Sequence, residues 1–548
     1  MTPEYRNRIL FIDDAFLLEV HNLKRKVNPA IKHPEPVLKL DASWDTALSD
    51  TFNGVNVLYD PDERLFKMWY AVTGQVPGQY WEEGRKIAYA TSRDGIHWNK
   101  PVLNILEVNG STANNYIIGN MLSVVGSIIL DPSDIPARRY KMIFAVEARE
   151  SRWARYHSPL SLAYSADGIH WDRPVHVNPV IRGISDDVLR LIYDPDRRIY
   201  QLYTRRVPNL PRDISLYESY DLVNWQDMGR VLVADEHDGP EMYNLHEMTP
   251  FFYEDFCLGL LGTMQFLPGM ENASVLQAPP PSWPYHVGLK GVQLCFTRDG
   301  RQWQRTEHRS PVIAPGSAGD LDEGMIFPAH APIVRDGDTW IYYCACSCYH
   351  TQWSQQQYLA EHENDARGMN CCMLAVMPED HWVSLDAGAR EGWLLTKPYA
   401  TPSRLLVNAD AKGGTVEAEF VTPYGESVEG FTRADCMGIS GNGKDQEIRW
   451  KTGTELRGLN EKHRGGLCLK LYLENAKLYS YSLMEPDPEG TIKAFWDNAR
   501  WNEVIMHRSD NWGRNSNEPA RGLPQPPGTQ HASGVRSGPN PQARAKWS

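Results

Sequence analysis

Carboxylic acids recur at or just before the start of apolar, strand-like segments in four parts of the sequence. They are Asp50, Asp186, Asp187, Glu241, Glu247, Asp322 and Glu323. Two carboxylates that face each other can cleave a glycosidic bond, because a protonated one donates to the leaving oxygen while an ionised one acts as nucleophile or as base for water. Neighbouring acids also push their pKa values apart, so both forms can coexist near neutral pH.

Basic and imidazole side chains lie close to these acids along the chain. Arg182 precedes one acidic pair, His246 is adjacent to Glu247, and His330 follows the last pair. Such groups can bind sugar hydroxyls or hold a carboxylate in place, and each of them can equally be a structural group. The sequence leaves both interpretations open.

An internal repeat predicts the elements that position these residues. Each copy pairs an alternating strand with an Asp-Gly type turn and a Trp three or four residues after the Asp. The copies are Asp94–Trp98, Asp167–Trp171, Asp221–Trp225, Asp299–Trp303 and a weaker Glu379–Trp382. Asp-Gly favours the left-handed backbone of a tight hairpin, so we expect these residues to be architectural.

A second hairpin precedes each of these turns, as in VNVLYD-PDER-LFKMWYAV at residues 55–72. Two hairpins make a four-stranded antiparallel sheet, and the unit recurs five times before residue 390. This pattern predicts an all-β chain with a five-bladed β-propeller over residues 1–390. The first strand of each blade lines the central channel, so the acids should converge at one mouth. Further alternating segments predict a β-sandwich at 391–485, and a Pro- and Gly-rich stretch predicts a disordered tail at 486–548.

Composition limits the classes of partner. The formal net charge of −13 argues against nucleic acid and anionic membranes, which need clustered cations. No apolar run reaches the roughly 18 residues of a membrane helix, and the N-terminus lacks a signal-peptide pattern, so we expect a cytoplasmic protein. Cys344, Cys346, Cys348 and His350 alternate along one segment, too extended for one metal ion. We predict buried thiols, no metal and no cofactor.

The turns of the form S-x-D-G-x-x-W, the hairpins, the opening FIDD and the trailing β-strands resemble the five-bladed glycoside hydrolase superfamily. That superfamily includes the invertase-like family 32 and the arabinanase-like family 43. The resemblance covers roughly residues 8–485 and is nearest to uncharacterised bacterial proteins similar to the family 32 N-terminal domain. The invertase-type sequences N-D-P-N-G, R-D-P and E-C are missing, and the second blade lacks an inner carboxylate.

The resemblance implies a nucleophile or base, a modulator and a general acid on inner strands. By position, Asp50 resembles the first, Asp187 a displaced second, and Glu247 the acid. From their position and chemistry, we expect the remaining candidates to contact the carbohydrate substrate; these are Asp186, Glu241, His246, Asp322, Glu323, Arg182 and His330. Two alternatives stay open. A phosphorylase would need Arg, Lys or His around a phosphate beside the acid, and a glycan-binding propeller would need no catalytic set.

Overall fold

The structure is a computed structural model. It describes residues 4–45, 50–74, 85–119, 126–145, 158–206, 212–238, 244–264, 288, 290–350, 352–399, 404–453, 456, 459, 463 and 466–486. All the elements described below belong to one compact unit, residues 1–494. The predicted tail, apart from residue 486, lies outside the described residues.

The chain begins with four short strands that join sheets formed later in the sequence. They are β1 (Glu4–Leu10), β2 (Leu17–His21), β3 (Lys24–Val27) and β4 (Ile31–Lys32). A four-stranded antiparallel sheet follows, in the order β5-β6-β7-β8. Its strands are β5 (Asp50–Asp60), β6 (Leu65–Gly74), β7 (Lys86–Ser92) and β8 (Tyr116–Gly119).

The middle of the chain forms a seven-stranded antiparallel sheet, ordered from β15 to β9 in reverse chain order. Its strands are β9 (Ser127–Leu130), β10 (Tyr140–Ala145), β11 (Ser158–Ser165), β12 (Ile181–Asp194), β13 (Ile199–Arg206), β14 (Ile214–Ser219) and β15 (Gln226–Leu232). The pairing between β11 and β12 joins two copies of the repeated hairpin unit into this one sheet.

A ten-stranded sheet has the central order β16-β17-β18-β21-β23-β24-β4. Its strands, besides β4, are β16 (Asn244–Tyr253), β17 (Phe256–Met264), β18 (Lys290–Thr297), β19 (Gln304–Arg305), β20 (Pro311–Ile313), β21 (Met325–Pro328), β22 (Ile333–Arg335), β23 (Asp338–Cys346) and β24 (Asn370–Pro378). Between β23 and β24 lies α1 (Gln352–Glu361), the single α-helix of the described ranges, which the sequence pattern did not predict.

Two further sheets use the last strands of the chain. These strands are β25 (Val383–Asp386), β26 (Gly392–Thr396), β27 (Arg404–Asp410), β28 (Thr415–Val421), β29 (Asn442–Glu447), β30 (Cys468–Glu474) and β31 (Lys477–Pro486). One sheet has the order β29-β27-β31-β25-β3 with β1 added to β31, and the other has the order β2-β26-β30-β28. Strands from both sides of residue 390 therefore share these sheets, and the predicted division at that residue stays a prediction.

The repeated turns are architectural, as their sequence indicates. The Asp94 carboxylate accepts from the backbone N–H groups of Ile96 at 2.9 Å and His97 at 2.8 Å. Gly95 has φ +80°, which a side chain would strain. The indole of Trp98 donates to the carbonyl of Gly95 at 3.0 Å.

Aromatic side chains of one repeated unit reach the turn of another. The Tyr342 hydroxyl donates to Gly95 O at 2.8 Å, and the Trp69 indole donates to Gly168 O at 2.6 Å. Tyr203 makes the equivalent contact with Gly300 O at 2.9 Å. The carbonyls of Gly95 and Gly168 therefore each accept a second hydrogen bond, in addition to the one from the indole of their own turn.

The first strands of the repeated units are linked to one another. The Asn56 amide donates to Gly126 O at 3.0 Å, and the Ser127 hydroxyl accepts from Leu191 N at 2.7 Å. The Thr249 hydroxyl then donates to Ala329 O at 3.1 Å.

The strands that make up nearly all of the described elements confirm the all-β class. The number of blades and the sandwich stay predictions.

Candidate functional site

Glu247 lies near the start of β16 and is 2 % exposed. The pairing of β16 with β17 shifts register between Leu245 and Glu247, and such a bulge re-aims the side chains beside it. Opposite Glu247 stands Gly262, where a Cβ would lie 2.6 Å from the Lys290 Cε and 3.2 Å from the Glu247 Cγ. The absence of a side chain at Gly262 therefore makes room for an acid and a base.

Two cations flank the Glu247 carboxylate. The Lys290 ammonium, at the start of β18, contacts Oε1, and the Arg190 guanidinium, on β12, lies 3.2 Å from Oε2. Lys290 is 0 % exposed, and buried charges of this kind persist only when they are paired. Glu247 on β16 is thus held by a cation of its own sheet, on β18, and by a cation of the seven-stranded sheet, on β12.

Lys290 has two further neighbours. Its Nζ lies 3.2 Å from Nδ1 of His246 and 3.5 Å from the centroid of the Phe327 ring. Since an ammonium only donates, Nδ1 of His246 accepts when Lys290 is charged. The face of Phe327 adds a cation–π contact that is strengthened by the dry surroundings.

Burial changes the protonation of these groups. It lowers the pKa of Lys290 to about 7, although the carboxylate of Glu247 opposes this shift. Burial and the neighbouring Lys290 hold the pKa of His246 well below its usual range. Burial, with Arg212 and Arg205 nearby, lowers the pKa of His350 to about 3. The two imidazoles are therefore neutral at pH 7, and Lys290 can gain or lose its proton there.

Arg190 is fixed by contacts with several strands. Its Nε donates to the Thr249 hydroxyl at 2.8 Å, and its other nitrogens donate to the carbonyls of Leu189 and Pro328, both at 2.9 Å. These bonds fix the plane of the guanidinium before any substrate binds. Its position beside Glu247 is thus determined by the fold.

The structure brings some of the predicted site residues together. His246 and Glu247 share the cluster around Lys290. His330 lies two residues after Pro328, whose carbonyl accepts from Arg190. Its Nε2 donates to Leu191 O at 3.0 Å, and its Nδ1 accepts from Ala331 N at 2.7 Å. Burial lowers the pKa of His330 to about 4. Both nitrogens of this neutral ring are therefore engaged by backbone.

Other predicted residues make their side-chain contacts outside the Glu247 cluster, or are not described. Asp322 is buried, 2.5 Å from Lys32 Nζ and 3.0 Å from the Tyr343 hydroxyl, and Glu323 accepts from Gly319 N within its own loop. Arg182 is exposed on β12. The side chains of Asp50, Asp186 and Asp187, and all of Glu241, lie outside the described residues. Whether Asp50 and Asp187 meet Glu247 stays a prediction.

Lys290 and Arg190 were not predicted from the sequence. Each is the one cation of a largely apolar segment, KGVQLCFT for Lys290 and VLRLIYD for Arg190. Because Lys and Arg are rarely buried unless they are paired, such isolated cations are the signal that could have indicated a partner.

Metal-ligating groups are sparse in the part of the chain that the structure describes. There, one set of side chains comes close enough together to share an ion, namely the exposed Asp235, Glu236 and His237. Asp235 is already bound by Arg309 at 2.6 Å. Cys344, Cys346 and Cys348 are buried free thiols, as their alternation predicts.

No protein-family model matches the chain, and neither does any curated protein. Solved structures that it resembles include glycoside hydrolases. One is a GH32 β-fructofuranosidase from Bombyx mori, with 12% identity, 87% of this chain and 95% of that chain covered, and a TM-score of 0.37. Another is a thermostable family-43 glycoside hydrolase, with 12% identity, 61% and 93% covered, and a TM-score of 0.40.

A third is an N-acetylgalactosamine deacetylase from F. plautii in complex with blood group B trisaccharide, with 14% identity, 66% and 96% covered, and a TM-score of 0.39. Because these TM-scores are low, the residues of this chain must carry any assignment of function.

Within the described ranges, no helix has both the length and the apolarity to span a bilayer.

Proposed function

We propose that this chain is a glycoside hydrolase, with its carboxylates at the centre of a five-bladed β-propeller. The contacts between the first strands of successive units support a ring, and so does the hydrogen bond from Tyr342 in the last unit to Gly95 in the first. In such a ring the starts of β5, β12 and β16 lie at one end, which would bring Asp50 and Asp187 towards Glu247. The last two sheets would pack as the proposed sandwich.

One observation carries the proposal, namely the buried contact between Glu247 and Lys290. A carboxylate and an amine in a dry site can share one proton, since the ammonium–carboxylate pair and the neutral amine–acid pair are closer in energy than in water. A pKa near 7 for Lys290 suits general acid–base chemistry at neutral pH.

The roles follow from this arrangement. Lys290 passes its proton to Oε1 of Glu247, and the resulting carboxylic acid protonates the glycosidic oxygen as the bond to the anomeric carbon breaks. Asp50 or Asp187 then acts as the nucleophile, or as the base that activates water. Asp186, Glu241, His246, Arg182, Asp322 and Glu323 remain proposed substrate contacts. His330, whose ring nitrogens both bond to backbone, would contact the substrate through its ring carbons.

The decisive experiment is a sugar-release screen over aryl-glycosides and plant and microbial polysaccharides. Wild type is compared with Glu247→Gln and with the control Glu419→Gln, a buried acid of β28 that accepts from the Tyr472 hydroxyl. We expect release to fall at least about a hundredfold in Glu247→Gln and to persist in the control. Unchanged release in Glu247→Gln would assign the proton donor to another carboxylate. Glycan binding without any release would favour a binding protein instead.

A second candidate is a glycoside phosphorylase, favoured by the cations beside Glu247. Arg190 and Lys290 both contact this acid, and His246 adjoins Lys290. Such groups could also hold a phosphate that replaces water as the attacking group. Turnover that requires inorganic phosphate and yields a sugar phosphate would select this candidate over hydrolysis.

A further inference from the structure

A cavity lies among the last sheets of the chain, and none of its lining residues belongs to the Glu247 cluster. It has a volume of about 690 Å³ and is bordered by β3, the segment after β25, the end of β27 and the turn between β30 and β31. Its basic lining residues are Lys24, Lys26, Arg390, Lys412 and Lys477. We call this cavity the basic groove. It stands out in a chain whose formal net charge is −13.

The acidic residues of the basic groove are already occupied. Asp386 pairs with Lys26 at 2.8 Å and accepts from the Ser384 hydroxyl at 2.6 Å. Asp410 accepts from the backbone N–H of Lys412 at 3.2 Å. Two carboxylates therefore serve local contacts, and they do not cancel the five cations.

The remaining cations form no ion pair among the described residues, although Asp386 lies opposite Lys24 and Lys477 in the sheet. No carboxylate of those residues lies within ion-pair distance of Lys24, Arg390, Lys412 or Lys477, and all four side chains are exposed. Lys24 and Lys26 alternate along β3 and so project from the same side of the strand. Four elements thus present positive charge to one volume of solvent.

Protection of an edge strand does not account for this arrangement. Lysines on an edge such as β3 oppose unwanted pairing with another sheet. Arg390, Lys412 and Lys477, however, lie in or beside the turns that enclose the cavity and not on that edge. Edge protection therefore leaves the convergence of these three cations unexplained, and binding of an anionic ligand would explain it.

The lining determines the class of ligand. It contains no Trp, Tyr or Phe, so it offers no ring on which the apolar face of a neutral sugar or a nucleic-acid base could stack. Exposed ion contacts are individually weak. A useful affinity therefore needs a ligand that carries several charges along its length.

We propose that the basic groove is an accessory binding site for an acidic polysaccharide, that is, a glycan with carboxylate or sulfate groups on successive sugars. The choice of glycan over other polyanions rests on the proposed glycoside hydrolase function. The site would hold a long anionic substrate to the protein while the Glu247 cluster acts on it. Binding at the groove requires no turnover, so it can fail or succeed independently of catalysis.

The test is binding of full-length protein to polygalacturonate and to heparin, measured by affinity electrophoresis and calorimetry at about 50 mM and about 200 mM salt. Wild type is compared with Lys24→Glu/Lys477→Glu. The control Arg449→Glu/Lys451→Glu reverses two exposed cations of the same region outside the groove. We expect the groove variant to lose at least about tenfold in affinity and the control to bind as wild type does.

The outcomes separate the possible sources of binding. Preference for polygalacturonate identifies carboxylates as the recognised group, and preference for heparin identifies sulfates. An equal loss of affinity in the groove variant and in the control would overturn the assignment. Failure of wild type to bind both polymers would overturn it as well. Double-stranded DNA that binds as tightly as the glycans at the same salt concentration would show a general anion surface and would also overturn it. If wild type binds an acidic glycan through the groove but releases no sugar, only the proposed glycoside hydrolase function is refuted.

Discussion

The hydroxyl of Tyr342 donates to the carbonyl oxygen of Gly95 at 2.8 Å, across 247 positions of sequence. The same glycine has φ +80°, and a Cβ on it would lie 2.5 Å from that hydroxyl and 2.9 Å from the Trp340 ring. Gly95 is therefore required twice, once for the turn and once for the close approach of a distant strand.

Gly95→Ala should destabilise the protein more than Gly413→Ala. Both glycines have φ +80°, but nothing lies within 4 Å of a Cβ at Gly413. We expect a cost of about 1 kcal/mol at Gly413 for backbone strain, and about 2–4 kcal/mol at Gly95, where Tyr342 must also move. Urea denaturation measures both. Equal losses would show that Tyr342 yields freely.

Single and double substitutions should reveal the coupling between Glu247 and Lys290. Removing one partner of a buried pair leaves the other uncompensated, so Glu247→Gln and Lys290→Met should each cost about 2–4 kcal/mol. The double variant should be less destabilised than their sum by about 1–3 kcal/mol. Denaturation of the four proteins gives the coupling energy. A value near zero would mean that Arg190 alone stabilises Glu247.

Lys290 should give a pH-dependent term in the free energy of unfolding. The pKa of Lys290 is about 7 in the folded protein, against an ordinary value of 10.5. Between these pH values the unfolded chain holds the proton that the folded chain has lost, so this term raises stability as pH rises. Below pH 7 both states are protonated, and the gain is absent.

The measurement is the difference in free energy of unfolding between wild type and Lys290→Met, followed as pH rises from 7 to 10.5. Taking this difference removes the tyrosines and cysteines that titrate in both proteins. We expect wild type to gain relative to the variant across that range. A constant difference would show that Lys290 titrates as an exposed lysine does.

Arg8→Met should destabilise the protein by about 3 kcal/mol. Asp380, which is 0 % exposed, accepts from Arg8 at 3.0 Å, from the Tyr253 hydroxyl at 2.8 Å and from the Ser480 hydroxyl at 2.8 Å. Loss of the guanidinium leaves a buried carboxylate without its cation. Thermal and urea denaturation report the loss. Arg449→Met, at an exposed pair with Glu447, should change stability by less than about 0.5 kcal/mol.

The folded protein should resist thiol reagents. Eight of the nine free cysteines are buried, and Cys436 is partly exposed. Burial raises the pKa of Cys344 and of Cys371 to about 12, which keeps both thiols protonated. We expect at most one thiol to react quickly with a disulfide reagent before urea is added. Fast reaction of several thiols in native buffer would contradict this prediction.

Local sequence patterns predicted the strands and the turns, because both depend on neighbouring residues. The Asp94 turn and the alternation of β30 are readable from a few positions. The carboxylate at Glu247 was found in the same way, from its place before an apolar segment.

The partners of Glu247 were not predictable by this means. Lys290 and Arg190 reach it from 43 and 57 positions away, and nothing local to either residue specifies that meeting. Helix α1 was also missed, because its sequence QWSQQQYLAE lacks a regular apolar face. Long-range register, such as the pairing of Glu4 with Pro486, follows from packing and not from pattern.

The pairing of β1 with β31 has a consequence for the order of events during synthesis. Among the described strands, the ribosome releases Glu4–Leu10 before all the others, and their partners Ser480–Pro486 emerge after all the others. Strand β1 must therefore remain in the nascent chain without its neighbour until β31 has been synthesised. A chain shortened at its beginning would expose the backbone of β31 as a new open edge, which favours association between copies.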